Sequence, residues 1–308
     1  MRSTIAILAT QVTFALALIG QSASGNTYVG SRVCGTCHLE IGRAFYKNPH
    51  FKSIAAENKP PEETGCEGCH GPGANHLRAG GGQDTIRAFS QFTAAETVDT
   101  CLTCHGGDIP RANIRTSQHI LSGMACTSCH SIHNSTPSTS LLRQPQVELC
   151  SGCHRAVAAE FSLPFKHRVQ EGFMSCTDCH NPHGTPSPTW TIAPTSRLVA
   201  TGQVNEQPCM NCHNEVRGPF LFEHPAVRVS GCQSCHQPHG STNSRLLRRP
   251  VVFPLCLECH NGGDSFGRQS NGVQVQSSRH NLSEPLYQNC TACHVRVHGS
   301  NADVNFLR

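Results

Sequence analysis

The most continuous hydrophobic stretch of this chain lies at its beginning. Arg2 is followed by an apolar run from Ile5 to Ile19, and the small residues Ser22 to Gly25 come next. This order is typical of a secretory signal peptide, which we predict over residues 1–25. A retained membrane anchor is the alternative, but the run of about 15 residues is shorter than the roughly 20 that cross a bilayer. No later stretch is apolar enough to span one, so we expect an exported, periplasmic protein.

Beyond this leader the hydrophobic positions are too scattered to predict long helices or strands. Only 37% of residues are hydrophobic, while 27 glycines and 19 prolines interrupt the chain. Short helices are predicted within residues 38–50, 154–167 and 213–224, each with an aromatic residue, Phe45, Phe161 or Phe220. The turn-rich stretches 77–100, 185–205 and 262–279 are predicted to be surface loops. We therefore expect mostly irregular structure with short α-helices and little β-structure.

One five-residue motif recurs along the whole chain. Cys-x-x-Cys-His occurs ten times and uses all 20 cysteines. This is the attachment site of c-type haem, in which two thiols bond to the porphyrin and the adjoining imidazole ligates the iron. The sequence therefore predicts ten c-type haems. The attachment residues are Cys34, Cys37, Cys66, Cys69, Cys101, Cys104, Cys126, Cys129, Cys150, Cys153, Cys176, Cys179, Cys209, Cys212, Cys232, Cys235, Cys256, Cys259, Cys290 and Cys293. The motif ligands are His38, His70, His105, His130, His154, His180, His213, His236, His260 and His294.

Other uses of paired cysteines explain the sequence less well. Zinc ribbons also use Cys-x-x-Cys pairs, but their chemistry does not require a histidine at the next position. Thioredoxin-like sites need one pair in a strand and helix context, and iron-sulfur clusters use different spacings. A disulfide framework would suit the even count without explaining the ten trailing histidines.

Ten more histidines lie outside the motifs, one in each interval between successive motifs and one in the C-terminal tail. Ten irons with one motif ligand each need ten further axial ligands, so this one-to-one tally predicts bis-histidine coordination. Apart from the initiator, only three methionines could compete as ligands. The predicted second ligands, called gap histidines below, are His50, His76, His119, His133, His167, His183, His224, His239, His280 and His298.

The spacing of motifs and gap histidines predicts a dihaem repeat copied five times. The predicted segments are 26–100 (first unit with a loop), 101–149 (second), 150–208 (third with a linker), 209–255 (fourth) and 256–308 (fifth with the tail). Roughly 28 residues per haem cannot build a conventional core around each cofactor, so the porphyrins must form the core. Short repeats of this kind are stable only when stacked, which predicts an elongated array of stacked dihaem repeats. His183 follows His180 too closely to reach round its haem, so we expect it to ligate the adjacent one.

Charge changes the picture once the haems are counted. The formal charge is +4, but two propionates per haem bring the loaded protein to the order of minus ten to minus sixteen. The cluster Arg245, Arg248 and Arg249 could be a nucleic-acid patch, but a solvated or propionate-bound face is the better interpretation. We expect no nucleic-acid partner.

Several stretches extend well beyond haem attachment and resemble the decahaem cytochromes c of the MtrA and DmsE type, from about Tyr28 to the C-terminus. They are YVGSRVCGTCH, CEGCHGPGANH, HRVQEGFMSCTDCHNPHG, RGPFLFEH, CQSCHQPHGS followed by RLLRRP, and CTACHVRVHGSN. The resemblance implies a periplasmic, bis-histidine electron carrier whose haem sites are the ten motifs and ten gap histidines. It implies a large outer-membrane β-barrel porin as partner, a periplasmic or inner-membrane quinol-linked cytochrome as donor, and an outer-surface cytochrome or terminal reductase as acceptor.

We interpret the chain as a non-catalytic electron-transfer conduit between periplasmic donors and the cell exterior or a terminal reductase. Two imidazoles on every iron leave no position for a substrate, and no catalytic residue is predicted. A multihaem reductase of nitrogen or sulfur oxyanions would need a five-coordinate haem, and no motif is altered and no gap histidine is missing. A subunit of an extracellular cytochrome filament would use the same ligands and stays open as an alternative.

Overall fold

The computed structural model describes residues 25–55, 59–108, 111–133, 139–185, 208–260 and 280–308. The predicted signal peptide lies outside the described residues, apart from Gly25, as do nearly all of the predicted loops 185–205 and 262–279. Packing divides the chain into two bodies. The N-terminal body comprises Met1–Arg43 and Pro49–Gln91, and the C-terminal body comprises Ala44–Asn48 and Phe92–Arg308.

Short helices separated by irregular segments make up most of the described chain, as the sequence predicted. The helices are α1 (Ser31–Cys37), α2 (Leu39–Phe45), α3 (Lys52–Ala55), α4 (Gly65–His70), α5 (Ala74–Arg78), α6 (Ala94–His105), α7 (Gln118–Leu121), α8 (Cys126–Cys129), α9 (Gln146–Cys153), α10 (Arg155–Glu160), α11 (Pro225–Val229), α12 (Val252–Leu257) and α13 (Cys290–Cys293). Single 3-10 turns lie between them, among them Cys176–Asp178, Pro208–Asn211 and Cys232–Ser234. No helix within the described ranges is both long enough and apolar enough to cross a membrane.

The strands of the described chain form one small ladder. Strand β1 (Phe222–Glu223) pairs antiparallel with β2 (Gly299–Ser300), with Phe222 opposite Ser300. Isolated bridges join His130 to Leu142, Phe165 to Ser241 and His236 to Leu247. The ladder joins the segment before α11 to the C-terminal tail.

Few side chains of the described residues are buried against protein alone. The buried hydrophobic residues are Phe45, Val98, Ile114, Leu141, Val169, Met210 and Leu255. Among the large hydrophobic residues, Phe173 is 70% exposed and Leu286 is 72% exposed. So small a protein core agrees with a fold in which bound cofactors supply most of the interior.

Two predicted elements are wrong in part. Residues 213–224 do not form a helix: a 3-10 turn at Asn214–Val216 is followed by Gly218, which has φ 80°, and by Pro219, which lacks the amide hydrogen that a helix needs. The predicted loop 77–100 contains the first half of α6. The predictions of helices within 38–50 and 154–167 are confirmed by α2 and α10.

Helix α6 begins at Ala94 because Thr93 and Glu96 form a capping box. The Thr93 side chain accepts a hydrogen bond from the Glu96 amide, and the Glu96 carboxylate accepts one from the Thr93 amide. Such a pair satisfies two amide groups that an uncapped helix leaves open. Thr97 and Val98 are the buried residues near the start of α6. The Cys101 motif follows at the end of the same helix.

Removing this cap should destabilise α6. Replacing Thr93 with alanine should lower the free energy of unfolding by about 1 kcal/mol, because the Glu96 amide loses its acceptor. Chemical denaturation followed by far-ultraviolet circular dichroism measures this change. Thr93→Ser keeps the hydroxyl and should behave as the unaltered protein, and an equal loss in both variants would contradict the capping role.

Candidate haem sites

Each described motif folds as a single helical turn, which brings its three functional side chains together. The histidine amide donates to the carbonyl of the first cysteine, as in His38 to Cys34 at 3.0 Å and His130 to Cys126 at 2.9 Å. Side chains three and four residues apart lie on the same face of a helical turn. Both thiols and the imidazole can therefore reach one cofactor.

Histidine rings of the described chain meet in pairs, and each pair joins one motif histidine to one gap histidine. An imidazole that ligates a metal at about 2 Å has its ring centre about 3 Å from that metal, so two rings on opposite faces stand about 6 Å apart. Eight pairs within the bodies have centroid separations from 5.9 to 6.3 Å. They are His38 with His76, His119 with His154, His130 with His183, His167 with His213, His180 with His239, His224 with His260, His236 with His298, and His280 with His294.

In the C-terminal body, most of these pairs join successive dihaem units. The gap histidine between the two motifs of one unit, which we call the inner histidine, lies beside the first motif histidine of the next unit. The gap histidine after the second motif, the outer histidine, lies beside the second motif histidine of the preceding unit. The inner pairs are His119 with His154, His167 with His213, and His224 with His260; the outer pairs are His130 with His183, His180 with His239, and His236 with His298.

The sequence favoured His183 as a ligand of the adjacent haem in its own unit, whereas its ring lies beside a motif histidine of the preceding unit. Its ring is stacked 6.1 Å from that of His130, which belongs to the preceding unit. Gly184 causes this geometry, because it has φ 93° and a Cβ there would lie 2.6 Å from the Asn113 carbonyl. The backbone after His180 therefore turns against the preceding unit and carries His183 with it.

The second ring nitrogen of many of these histidines has its own partner. Among the described predicted ligands, Nδ1 lies at hydrogen-bond distance from a backbone carbonyl oxygen in these cases: His70 to Arg87, His76 to Gly82, His119 to Pro182, His130 to Ser140, His167 to Pro238, His236 to Arg245, and His294 to Asn305. A bond from Nδ1–H to oxygen fixes the tautomer and ring orientation and leaves Nε2 as the ligand atom. This is the arrangement that a metal-ligating histidine requires.

Three of these carbonyls belong to a repeated turn that the sequence analysis missed. Ser140 and Leu141 both have φ 55°, and Arg245 and Leu246 both have φ 57°. These left-handed residues aim the carbonyl of Ser140 or Arg245 at the preceding motif histidine, and Asn305, next to Phe306 at φ 61°, does the same for His294. The signal is visible in the sequence as SLLR at 140–143, RLLR at 245–248 and NFLR at 305–308.

Carboxylates replace the carbonyl at three other histidines. His105 lies 2.9 Å from Asp108, His239 lies 2.9 Å from Glu160, and His213 lies 3.3 Å from Glu215. The guanidinium of Arg111 also donates to Asp108, and together with His105 it lowers the pKa of that carboxyl. These acidic partners were not predicted; Glu160 lies 79 residues from His239, while Asp108 and Glu215 lie 3 and 2 residues from their histidines.

The first cysteines of the two motifs lie side by side in all five predicted dihaem units. Cys34 donates to Cys66, which lowers the pKa of Cys66 to about 6 and raises that of Cys34 above its usual value. Cys101 likewise donates to Cys126, Cys150 to Cys176 and Cys256 to Cys290, whereas Cys232 donates to Cys209. The attachment points of the two porphyrins within one unit would therefore be adjacent.

The surroundings of the rings fit haem better than a bare metal ion. Burial lowers the pKa of His180, His183, His224 and His298, which favours the neutral imidazole that acts as a ligand. Within the described parts of the chain, no group of three or more His, Cys, Asp or Glu side chains converges as a metal site. Two imidazoles with thiols beside them instead suit a metal whose other four ligands come from a porphyrin.

Comparison with known proteins agrees with this geometry. Residues 167–218 and 224–265 match the family model of the doubled CXXCH motif, and residues 66–153 match that of NrfB-like c-type cytochromes. The chain is 32% identical to the multihaem cytochrome MtrA of Shewanella baltica over 281 residues, which cover 88% of this chain and 79% of that protein. The chain belongs to the MtrA family of multihaem c-type cytochromes.

Other relatives of this MtrA-family chain are longer. It is 26% identical to the polyhaem cytochrome OmcB of Geobacter sulfurreducens, with 79% of this chain but 37% of OmcB aligned. OmcC of the same organism is 24% identical, with 66% of this chain and 29% of OmcC aligned. The MtrA-family chain thus spans about a third of the length of these two relatives. It is a multihaem c-type cytochrome, which is consistent with electron transfer.

Some predicted site residues of this MtrA-family chain stay predictions. His50, His70, His105 and His133 complete the predicted set of axial ligands, and their pairing is not assigned. The arginine cluster is partly neutralised, because Arg249 lies 2.7 Å and Arg248 4.0 Å from Glu258. Phe161 lies near one predicted ligand, with its ring 5.3 Å from that of His239.

Proposed function

We propose that this protein binds ten c-type haems with two histidines on each iron and acts as an electron-transfer conduit. The observation that carries the proposal is the unbroken order of candidate sites along the C-terminal body. Each site has a motif that can attach the cofactor and, in most cases, a ring pair with the spacing that a bis-histidine iron needs. A carrier needs this arrangement, whereas a reductase needs one iron with an open face.

Thiol contacts give the order of the sites. Within units, first cysteines are hydrogen-bonded, as described above. Between units, Cys129 interacts electrostatically with Cys153, Cys179 with Cys209, and Cys235 with Cys256. Successive motifs from Cys101 to Cys290 are therefore neighbours in space, in the same order as in sequence. Cofactors attached to them would form one continuous series in that order.

The protein groups have separate roles in such a conduit. A c-type haem supplies a reversible one-electron iron couple when bound. The paired imidazoles would occupy both axial positions and exclude substrate and water. The Nδ1 bonds to Ser140, Arg245 and Asn305 carbonyls would hold the rings in place, which limits reorganisation when charge changes. Two imidazoles also favour lower potentials than a histidine and methionine pair.

We further propose a periplasmic position associated with the outer membrane. The predicted leader and the MtrA family support export, and a β-barrel partner would need a lumen wide enough for a haem-filled chain. Electrons would come from a periplasmic or quinol-linked cytochrome and leave to an outer-surface cytochrome or a terminal reductase. Fractionation of cells, followed by haem staining and capture of the chain with its barrel, tests this part.

The ligation has a direct test. Electron paramagnetic resonance of the purified ferric protein, quantified against total haem, should give ten low-spin irons per chain. Every iron is low-spin because imidazole occupies both axial positions. A high-spin signal equal to one or more haems per chain would contradict the conduit and support a reductase instead.

A further inference from the structure

One carboxylate lies within hydrogen-bond distance of a predicted axial ligand. Glu160, the last residue of α10, places Oε2 at 2.9 Å from Nδ1 of His239. The ring of His239 lies 5.9 Å from that of His180, so the two would ligate the haem on Cys176 and Cys179. The Glu160 side chain is 50% exposed and that of His239 30%.

The backbone around this contact is fixed by several independent interactions. Phe165 and Ser241 exchange both of their amide-to-carbonyl hydrogen bonds, at 3.1 and 2.8 Å, and Ser241 is completely buried. A Cβ on Gly240 would lie 2.0 Å from the Glu160 carbonyl, so only glycine permits this approach. The segments carrying Glu160 and His239 are therefore held together whether or not the side chains bond.

The corresponding position one repeat earlier carries no acid. HNPHG at 180–184 and HQPHG at 236–240 are copies of the same turn. Gly184 packs on the carbonyl of Asn113 in the way that Gly240 packs on the carbonyl of Glu160. The residue whose carbonyl packs on the turn glycine is thus the neutral Asn113 in the earlier copy and the acidic Glu160 in the later one.

The other acidic partners are weaker candidates for the same role. Asp108 beside His105 is shared with the guanidinium of Arg111, which offsets its charge. Glu215 lies 3.3 Å from His213, and both side chains are more than half exposed. Only Glu160 combines a short bond and a fixed backbone without a cation among its described ion pairs.

We propose that Glu160 is a positioning and tuning residue that lowers the reduction potential of the haem held by His180 and His239. This inference rests on the proposed bis-histidine ligation. An ionised carboxylate accepting from Nδ1–H gives the imidazole more anionic character and makes it a stronger donor to iron. Ferric iron carries the higher charge and is stabilised more than ferrous iron, so reduction becomes harder. The series of haems would contain one low-potential member at this defined position.

The test uses the complete, haem-loaded protein. Glu160→Gln keeps the shape and an oxygen acceptor but removes the negative charge. In a spectroelectrochemical titration, one tenth of the absorbance change should move to more positive potential, while the other nine tenths stay in place. Glu148→Gln is the matched control, because it removes an exposed glutamate from α9 in the same body, and it should leave all components in place. Glu160→Asp retains the charge and should shift the component less than Glu160→Gln.

Electron paramagnetic resonance separates the possible failures. A low-spin spectrum in every variant with no shift in Glu160→Gln would overturn the tuning role and leave the conduit intact. An equal shift in Glu148→Gln would also overturn it, since a general charge effect would then suffice. High-spin iron already present in the unaltered protein would instead refute the ligation from which both proposals start.

Discussion

Replacing His183 with alanine should convert one tenth of the ferric haem from low-spin to high-spin. The ring of His183 stands 6.1 Å from that of His130, which is the spacing that two imidazoles on one iron would have. Removal would open one axial position, which water or nothing would fill, and a weak-field or absent ligand leaves the iron high-spin. Electron paramagnetic resonance quantified against total haem measures the fraction.

A second variant identifies the affected haem. If His183 serves the motif of Cys126, deletion of that haem by Cys126→Ala and Cys129→Ala should abolish the high-spin signal that His183→Ala produces. If His183 instead served the haem on Cys150, the signal would persist in the combined variant, and the pairing between units would be wrong. Leu121→Ala, which alters a side chain that is 66% exposed in the same body, should leave every iron low-spin.

Replacing Glu67 with alanine should destabilise the N-terminal body by about 3 kcal/mol, because three backbone amides would lose a charged acceptor. Glu67 is only 4% exposed. Its carboxylate accepts from the amides of Val29, Gly30 and Gly73 at 2.7 to 3.1 Å. It therefore joins the backbone at Val29 and Gly30 to the turn at Gly73 that follows α4. Hydrogen exchange at these three amides and limited proteolysis of residues 26–31 should both accelerate.

The neighbouring Glu62 supplies the control. It is exposed on the 3-10 turn at Pro61–Glu63, so Glu62→Ala removes the same charge without removing an amide acceptor. Exchange at Val29, Gly30 and Gly73 should stay slow in that variant. Slow exchange in Glu67→Ala as well would show that the carboxylate has no structural role.

The sequence allowed the composition of the sites to be predicted, but not their pairing. The motif fixes its own geometry, because a helical turn places two thiols and an imidazole on one face. The gap histidines could be counted but not assigned, since His119 and His154 or His180 and His239 meet only through the tertiary fold. Proximity in sequence suggested pairing within a unit, whereas the turn at Gly184 directs His183 to the preceding one.

Local elements were predicted where local chemistry decides them. Helix α10 follows from the helix-forming residues RAVAAE, and α2 forms although Gly42 lies within it; their aromatic residues lie at or just beyond the helix end. The start of α6 was not predicted, because the glycines at 80–82 indicate a loop while the capping box of Thr93 and Glu96 lies further along the same stretch. The acceptors at Ser140 and Arg245 were missed for another reason: they are backbone carbonyls, whose direction depends on two consecutive left-handed residues.

The pairing of each outer histidine with a motif of the preceding unit has a consequence for biogenesis. With these pairs as axial pairs, the first sites of the third, fourth and fifth units are completed by a histidine from the unit before, and the second sites of the second, third and fourth units by a histidine from the unit after. During export from the N-terminus, a freshly loaded second site must wait, open on one side, until the following fifty or so residues emerge. Stalled or truncated chains would then carry an iron with one open face at their growing end.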